Sequence, residues 1–491
     1  MKVFFEFVKK ENIILFFILT IGLFLRLYNL GKPDFWNDEA CSIVFSKNLG
    51  YIFCDMHPPF YYALLKFWIF IAGETEFRIR LLSAIFSIVT VFFIFKLGQK
   101  MFNKNIGLIG AFILSVSPIH LWYAQEARSY VLITFLVTLC VYVFALIVYE
   151  NRKDLHSVFA ILLLLCLYTE YISFFILAAT GVVFIFKQPR FFLKEWILSW
   201  IAALAGFLAW APVFWIQFTN VVRDFWIEKV SQNTLINTLQ NFNLGYESGY
   251  HISNIAVFLF LFLAGIFLSK KQERIKVTML ASMIAVPFAA LFIMSATRPV
   301  YLDRQLLPVT VFYYLLIAKG IESFKNPLKI LPLALVLSML FLSVPGYYKA
   351  VNSNKKSFKP LVDYIRQGLK EDDVLCITTG SAVTTVPYYL SKCSKIMPEI
   401  YLLHAKKGDS QRLHVSDLKV KKWKGEYWIN GVRDLAQDES SHIWVVSGSW
   451  KRDGYLDINS SEVCNWFQSK TGLLVKKAFD GLFLEARSIK R

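Results

Sequence analysis

Apolar residues run along this chain in blocks of bilayer length, and the blocks stop near Pro345. A bilayer core takes about 20 apolar residues per helix, with about 17 to 25 tolerated. On that scale the blocks predict membrane spans over 12–30, 79–99, 105–122, 130–149, 157–168, 171–186, 196–217, 253–268, 277–296, 301–318 and 328–345. The stretch 59–72 is apolar but short, which suits an interfacial or re-entrant piece. Only Thr169 and Glu170 part 157–168 from 171–186. Beyond Gly346 the pattern changes. Phe358 to Leu369 has helical spacing, Val374 to Thr378 and Ile443 to Ser447 read as buried strands, and Leu473 to Ala478 with Leu482 to Ala486 reads as a hairpin. The expected fold is an α-helical polytopic membrane protein of about 11 spans over residues 1–345, followed by a soluble α/β domain over 346–491.

Composition agrees with this reading. Of 491 residues 56% are hydrophobic and 18% charged, against about 25% charged in soluble domains. The formal net charge of +18 has an uneven distribution. Lys2, Lys9, Lys10, Lys96, Lys100, Lys104, Arg152, Lys153, Lys187, Arg190, Lys194, Lys270, Lys271, Arg274, Lys276, Lys319, Lys325 and Lys329 fall at one set of span ends, and the alternate loops hold slightly more acids than bases. Lys and Arg gather in cytoplasmic loops, so the N-terminus is expected inside and the C-terminal domain outside. The basic surplus is thus mostly a topology signal and does not point to nucleic acid. The tail is also basic and suits an anionic lipid surface. The first apolar run continues through Arg26 to Leu30 with no small-x-small cleavage site, and is expected to stay as a span.

The 7 cysteines follow no spacing that demands disulfides or a metal. Cys140 and Cys166 fall in spans, Cys41 and Cys54 in the first outer loop, and Cys376, Cys393 and Cys464 in the tail. There is no CxxC, HExxH or Walker A pattern, so direct use of a nucleoside triphosphate has no support.

Chemistry is expected where polar groups crowd the outer ends of spans, because charge near hydrocarbon is costly and tends to be kept for function. The first outer loop carries Asp34-Phe35-Trp36-Asn37-Asp38-Glu39-Ala40 and then Asp55-Met56-His57-Pro58-Pro59-Phe60-Tyr61-Tyr62. The third span ends in Trp122-Tyr123-Ala124-Gln125-Glu126-Ala127-Arg128-Ser129-Tyr130. Glu170 parts the fifth and sixth spans, and Arg298 to Gln305 parts the ninth and tenth. All fall on one side of the threading. Taken singly, each has a plain structural reading: a solvated loop acid, a rigid Pro-Pro turn, an aromatic belt, or an arginine snorkelling to the interface as Arg26 would.

Their order is more specific. Trp36-Asn37-Asp38-Glu39-Ala40, His57-Pro58-Pro59-Phe60-Tyr61-Tyr62, Gly73-Glu74-Thr75-Glu76-Phe77-Arg78-Ile79-Arg80-Leu81, Ser117-Pro118 and Trp122 to Tyr130 together resemble the polytopic GT-C glycosyltransferases. The protein O-mannosyltransferase-like group and the bacterial aminoarabinose and lipid-sugar transferases are the nearest in pattern. Where relatives often carry His, this chain has Glu170, and Asp303 and Gln305 interrupt the group's usual Arg-Tyr-Leu-Leu-Pro run. The resemblance implies inverting transfer of a sugar from a polyprenyl-phosphate carrier to a lipid, glycan or protein acceptor outside the cytoplasm. An inverting transfer needs a base, for which Asp38 is the candidate and Glu39 the alternative. A phosphate leaving group needs cationic stabilisation, for which Arg128 and Arg304 suit, with Arg298 a further substrate-binding candidate. Glu126 orients Arg128, binds a sugar hydroxyl, or holds a divalent metal ion with His57; these alternatives stay open. Trp36 and Tyr61 offer stacking faces, and His57 and Glu170 are further substrate-binding candidates. The rival class is a lipid or lipid-sugar transporter, which would favour internal repeats and charges at mid-span.

Overall fold

The computed structural model describes residues 10–186, 190–221, 227, 230–246, 252–354, 357–370, 373–377, 382–394, 396, 398–405, 418–422, 428–429, 443–448, 471–479 and 482–489. Lys2, Lys9, Lys187, Thr378 and Cys464 lie outside them, as does the side chain of Cys54. The chain divides into two compact units, 1–32 with 45–352, and 33–44 with 353–491.

The first unit is helical. Five described helices are long and apolar enough to cross a membrane: Glu76–Met101, Tyr130–Glu150, Phe192–Thr219, Lys271–Thr297 and Ile330–Lys349. A sixth crossing forms if Lys104–Val116 and Pro118–Ala124, bent by 60°, count as one. Side chains such as Phe70, Leu342, Ile185 and Phe267 are largely exposed on its surface, as lipid-facing residues are. This is an integral membrane protein.

Local sequence sets many boundaries. Thr75 caps Glu76–Met101 by accepting from the Arg78 N–H, and Asn103 caps Lys104–Val116 by accepting from the Ile106 N–H at 3.0 Å. Tyr130–Glu150 stops at Asn151, whose φ of 57° is left-handed. The bend at Ser117 follows from Pro118, which pushes the residue before it to extended backbone.

Several expected spans take other forms. The first apolar run is helical only over Lys10–Leu27, and the chain then turns through Asn29 at φ 59°. Arg26 does not snorkel. It is wholly buried and donates to Ser87 Oγ at 2.7 Å, Ser115 O at 2.8 Å and Gly22 O at 2.9 Å. The apolar stretch 59–72 is the helix Phe60–Ala72, and 171–186 contains the short helix Ser173–Ala178. The span expected over 301–318 is instead a short 3₁₀ turn, Asp303–Leu306, and a 14-residue helix, Val309–Glu322. Every residue from Val309 to Ile321 is buried, so this apolar helix faces protein on all sides and is the unit's axis. It packs against Ile252–Phe267, Lys104–Val116 and Arg274–Thr297. Gly265 and Gly320 let backbones touch there: a Cβ on Gly320 would run into the carbonyl of Leu261.

The second unit holds strands β1 Val374–Ile377, β2 Glu399–Ala405, β3 Leu418–Lys422, β4 Trp428–Ile429, β5 Ile443–Gly448, β6 Thr471–Phe479 and β7 Leu482–Ile489. They form one sheet in the order β4-β3-β2-β1-β5-β7-β6. β1 pairs parallel with both β2 and β5, and the remaining pairs are antiparallel. Leu375, Cys376 and Ile377 of the central β1 are wholly buried, as a strand covered on both faces requires. Helix Lys359–Gly368 precedes β1, and Thr385–Cys393 crosses from β1 to β2. Cys41, Cys140, Cys166, Cys376 and Cys393 carry reduced thiols.

Candidate active site

The turn Gln125–Ser129 links helix Pro118–Ala124 to helix Tyr130–Glu150. It is pinned to the end of the first helix. The last carbonyls of a helix lack intrahelical partners, and the Gln125 amide serves them here. Its Nε2 lies 3.3 Å from Leu25 O, 3.0 Å from Arg26 O and 2.8 Å from Tyr28 O. Tyr347 donates its hydroxyl to Gln125 Oε1 at 2.7 Å, and Tyr348 donates to Leu25 O. Glu126, Arg128 and Ser129 of this turn are all buried, and the Arg128 N–H donates to the Glu126 carbonyl at 3.0 Å.

From this turn a polar chain crosses to two other loops. Arg128 Nη2 lies 2.8 Å from His57 Nε2, and His57 Nδ1 lies 3.0 Å from Glu170 Oε1. Guanidinium donates and never accepts, so His57 Nε2 is the acceptor and the ring proton sits on Nδ1, facing Glu170. Ser129 donates to the same Glu170 oxygen at 2.5 Å. Burial raises the pKa of the Glu170 carboxyl, but His57, Ser129 and the Arg128 charge outweigh it and hold the group below its usual range.

The loops that bring these groups together are themselves held. The Phe60 N–H donates to Tyr168 O at 2.9 Å, tying the His57-Pro58-Pro59 turn to the break that presents Glu170. Gln217 Nε2 reaches Ile52 O at 3.4 Å and His57 O at 3.5 Å. Its Oε1 accepts from Tyr171, whose hydroxyl accepts from Trp210 Nε1. Tyr62 donates to Asp55, and the buried Tyr61 packs edge-on against Tyr62.

Arg304 joins the same cluster through Tyr130. The guanidinium carbons of Arg128 and Arg304 each lie 5.7 Å from the centre of that ring. Two cations therefore share one aromatic residue. Asp303 beside Arg304 accepts from Asn241 Nδ2 at 2.6 Å and from Tyr246 at 3.2 Å, and Tyr246 meets Tyr123 at 2.5 Å. Burial pushes the Asp303 carboxyl above its ordinary range despite Asn241, Tyr246 and Arg304. Arg298 is placed differently, with its guanidinium 5.2 Å from the Phe218 ring.

Among the described residues no three His, Cys, Asp or Glu side chains gather as ligands. Both His57 nitrogens are engaged, Nε2 by Arg128 and Nδ1 by Glu170.

Trp36, Asp38 and Glu39 belong to the second unit. Asp38 and Glu39 stand in the first turn of helix Asn37–Lys47, where the helix dipole favours acids. The Trp36 N–H donates to Glu39 Oε2 at 3.3 Å, one half of a capping box. Glu39 is wholly buried in that role, whereas Asp38 is only partly buried.

Asn241, Tyr246 and Gln217 were not among the expected site residues. A signal exists for the first: Asn237, Gln240, Asn241 and Asn243 crowd one short helix, Thr234–Leu244, of a membrane unit. Gln217 is a lone amide inside an apolar helix, which burial makes costly unless it is bonded.

Residues 56–216 match the family model described as dolichyl-phosphate-mannose-protein mannosyltransferase. The match contains His57, Tyr61, Glu126, Arg128 and Glu170 and stops short of Arg298 and Arg304. Among solved structures the chain is similar to ArnT from Cupriavidus metallidurans in the apo state, with a TM-score of 0.65 at 11% identity over 96% of this chain and 97% of that one. The same protein bound to undecaprenyl phosphate gives 0.61 at 10% identity, again over 96% and 97%. The oligosaccharyltransferase AglB from Archaeoglobus fulgidus, in complex with an inhibitory peptide and a dolichol-phosphate, gives 0.51 at 12% identity over 77% of this chain and 63% of that one. No curated protein matches the chain in sequence.

Proposed function

From the premise that this chain has the GT-C fold and resembles the protein O-mannosyltransferase-like and ArnT-like enzymes, we propose that it is an inverting membrane glycosyltransferase. It moves a sugar from a polyprenyl-phosphate carrier to an acceptor hydroxyl on the extracytoplasmic side. The observation that carries this reading is the buried chain Glu170–His57–Arg128 inside the family-matched segment, with Arg304 sharing the Tyr130 ring.

In the reaction the acceptor oxygen attacks the anomeric carbon opposite the phosphate. The bond from that carbon to the phosphate oxygen breaks, and the carrier leaves as polyprenyl phosphate. Asp38 takes the acceptor proton, and its greater exposure favours it over the capping Glu39. Arg128 and Arg304 stabilise the charge that grows on the phosphate, where forked donors act best in a dry site. Glu170 fixes the His57 tautomer, and His57 in turn aims Arg128. Glu126 binds or orients through its place in the Arg128 turn, and Trp36 and Tyr61 provide apolar faces. The N-terminus is cytoplasmic, and residues 346–491 form a soluble α/β domain outside.

Purified protein incubated with a panel of polyprenyl-phosphate sugars and assayed by mass spectrometry tests this. Release of free polyprenyl phosphate from one donor is the expected result. Movement of intact donor between vesicle leaflets, without release, would make the protein a transporter.

A further inference from the structure

The acids at the head of helix Asn37–Lys47 ride on a segment, 33–44, that folds with the C-terminal unit and not with the helices on either side of it in sequence. Asp34, Phe35, Asn37 and Cys41 tie it there. Asp34 is buried, and its Oδ2 accepts from the N–H groups of Phe358 at 2.8 Å and Lys359 at 2.9 Å and from Ser357 Oγ at 3.4 Å. Those N–H groups open helix Lys359–Gly368, whose own N-cap residue, Phe358, makes no side-chain cap. Asp34 therefore supplies, from more than three hundred residues away, the cap that a local Ser or Asp would give. The Phe35 N–H donates to the Tyr389 hydroxyl at 2.8 Å, and the Phe35 ring packs on Tyr388 and Tyr389. Asn37 Oδ1 accepts from the Thr384 N–H at 3.1 Å, and Cys41 Sγ lies 3.1 Å from Thr384 Oγ1.

The place of these contacts in the sheet is informative. Thr384 precedes Thr385–Cys393, the helix that crosses from β1 to β2, so it lies at the carboxyl end of β1. β1 has parallel neighbours on both sides, β2 and β5. That is a topological switch point, the place where open α/β sheets hold their ligands. Here the chain's own segment 33–44 is bound there.

We infer that the C-terminal unit is the holder of the acidic segment: its ligand crevice grips residues 33–44, and Asp34, Asn37, Thr384 and Tyr389 are positioning residues for Asp38. The inference rests on Asp38 as the base of the proposed transfer. It gives the C-terminal unit a task that needs no small ligand of its own.

The test uses the full-length protein and two readouts. Docking is read from the rate of Cys41 alkylation by a maleimide, followed by peptide mass spectrometry. Catalysis is read as kcat and donor KM per folded molecule. Asp34→Ala should speed Cys41 alkylation and lower kcat, each by about fivefold or more, since losing a cap shifts a local equilibrium by about that factor, while donor KM stays near its original value. Asp34→Asn and Tyr389→Phe, which remove less, should move both readouts in the same direction should Asp34→Ala fold poorly. Thr384→Cys places a second thiol opposite Cys41; oxidised in the Asp34→Ala background, it should restore kcat, and reduction should remove the rescue. Unchanged Cys41 alkylation in Asp34→Ala would overturn the inference, as would faster alkylation with unchanged kcat. Asp38→Asn separates the two claims: if it loses turnover while Asp34→Ala does not, the holder fails and the base stands. If Asp38→Asn keeps full turnover, the base fails, and Cys41 alkylation still reports on the grip.

Discussion

His57 is held between a group that can only donate and a group that, when ionised, can only accept. Arg128 fixes its Nε2 as an acceptor, and Glu170 accepts the hydrogen bond from its Nδ1–H. The ring is thus a spacer between Glu170 and Arg128, and in the proposed transfer Arg128 acts through its fork as well as its charge. Arg128→Lys keeps the charge and loses the planar fork of donors. A charge-assisted hydrogen bond contributes about 1.5–3 kcal/mol, so turnover per folded molecule should fall about 10- to 100-fold. Unchanged kinetics would reduce Arg128 to a structural role. The two buried carboxylates near it should respond to pH with opposite sign. Glu170 is held below its usual pKa, so its stabilisation is full above the unfolded value, about 4.3, and is lost as pH falls through the lower folded value. Asp303 is held above its usual pKa. Its contribution is greatest below the unfolded value, about 3.9, and is lost as pH rises through the folded one. Thermal midpoints taken from about pH 8 to about pH 3 should show Glu170→Gln below wild type at neutral pH and Asp303→Asn level with or above it. Both differences should shrink toward acid.

Hydropathy located elements better than it identified what faces them. The blocks read at 79–99, 130–149 and 277–296 fall within helices Glu76–Met101, Tyr130–Glu150 and Arg274–Thr297. Apolar sequence alone cannot separate a lipid-facing helix from one enclosed by protein, and Val309–Glu322 is the second kind. The Ser117-Pro118 pair carries the break in sequence, and the structure gives its size, 60°. Of the candidate cluster, the crowded motif around Glu126 and Arg128 is visible in sequence, and the structure shows Arg128 meeting His57. Asn241 and Gln217 stand out in sequence only as amides in an apolar unit, and their partners are set by tertiary contact. At this scale the contact between Ile252–Phe267 and Val309–Glu322 is the sensitive joint. Gly320→Leu would drive a side chain into the Leu261 carbonyl, and overpacking costs about 1–3 kcal/mol or more. The yield of monodisperse protein should drop sharply, whereas Gly346→Ala, in open space, should leave it unchanged.

For the whole molecule, the charge pattern predicts which side each part occupies. A cysteine introduced near Gly368 should react with a membrane-impermeant reagent in intact cells, and one beside Lys271 should react only after lysis. The reverse pattern would place the Arg128 cluster in the cytoplasm and remove the proposed donor. Sequence spacing divides the chain at Pro345, but the compact units assign 33–44 to the C-terminal part. That assignment rests on Asp34 reaching Phe358 and Lys359, a contact no local pattern announces. The central claim is sugar transfer with Asp38 as its base. It is tested most directly by measuring polyprenyl phosphate released from the preferred donor by wild type and Asp38→Asn, with donor binding measured on the same samples. Transfer through Asp38 predicts release by wild type and a loss of about 10²- to 10⁴-fold in the variant, with donor binding retained. Equal release by the two proteins, or none by wild type with any donor, would contradict it.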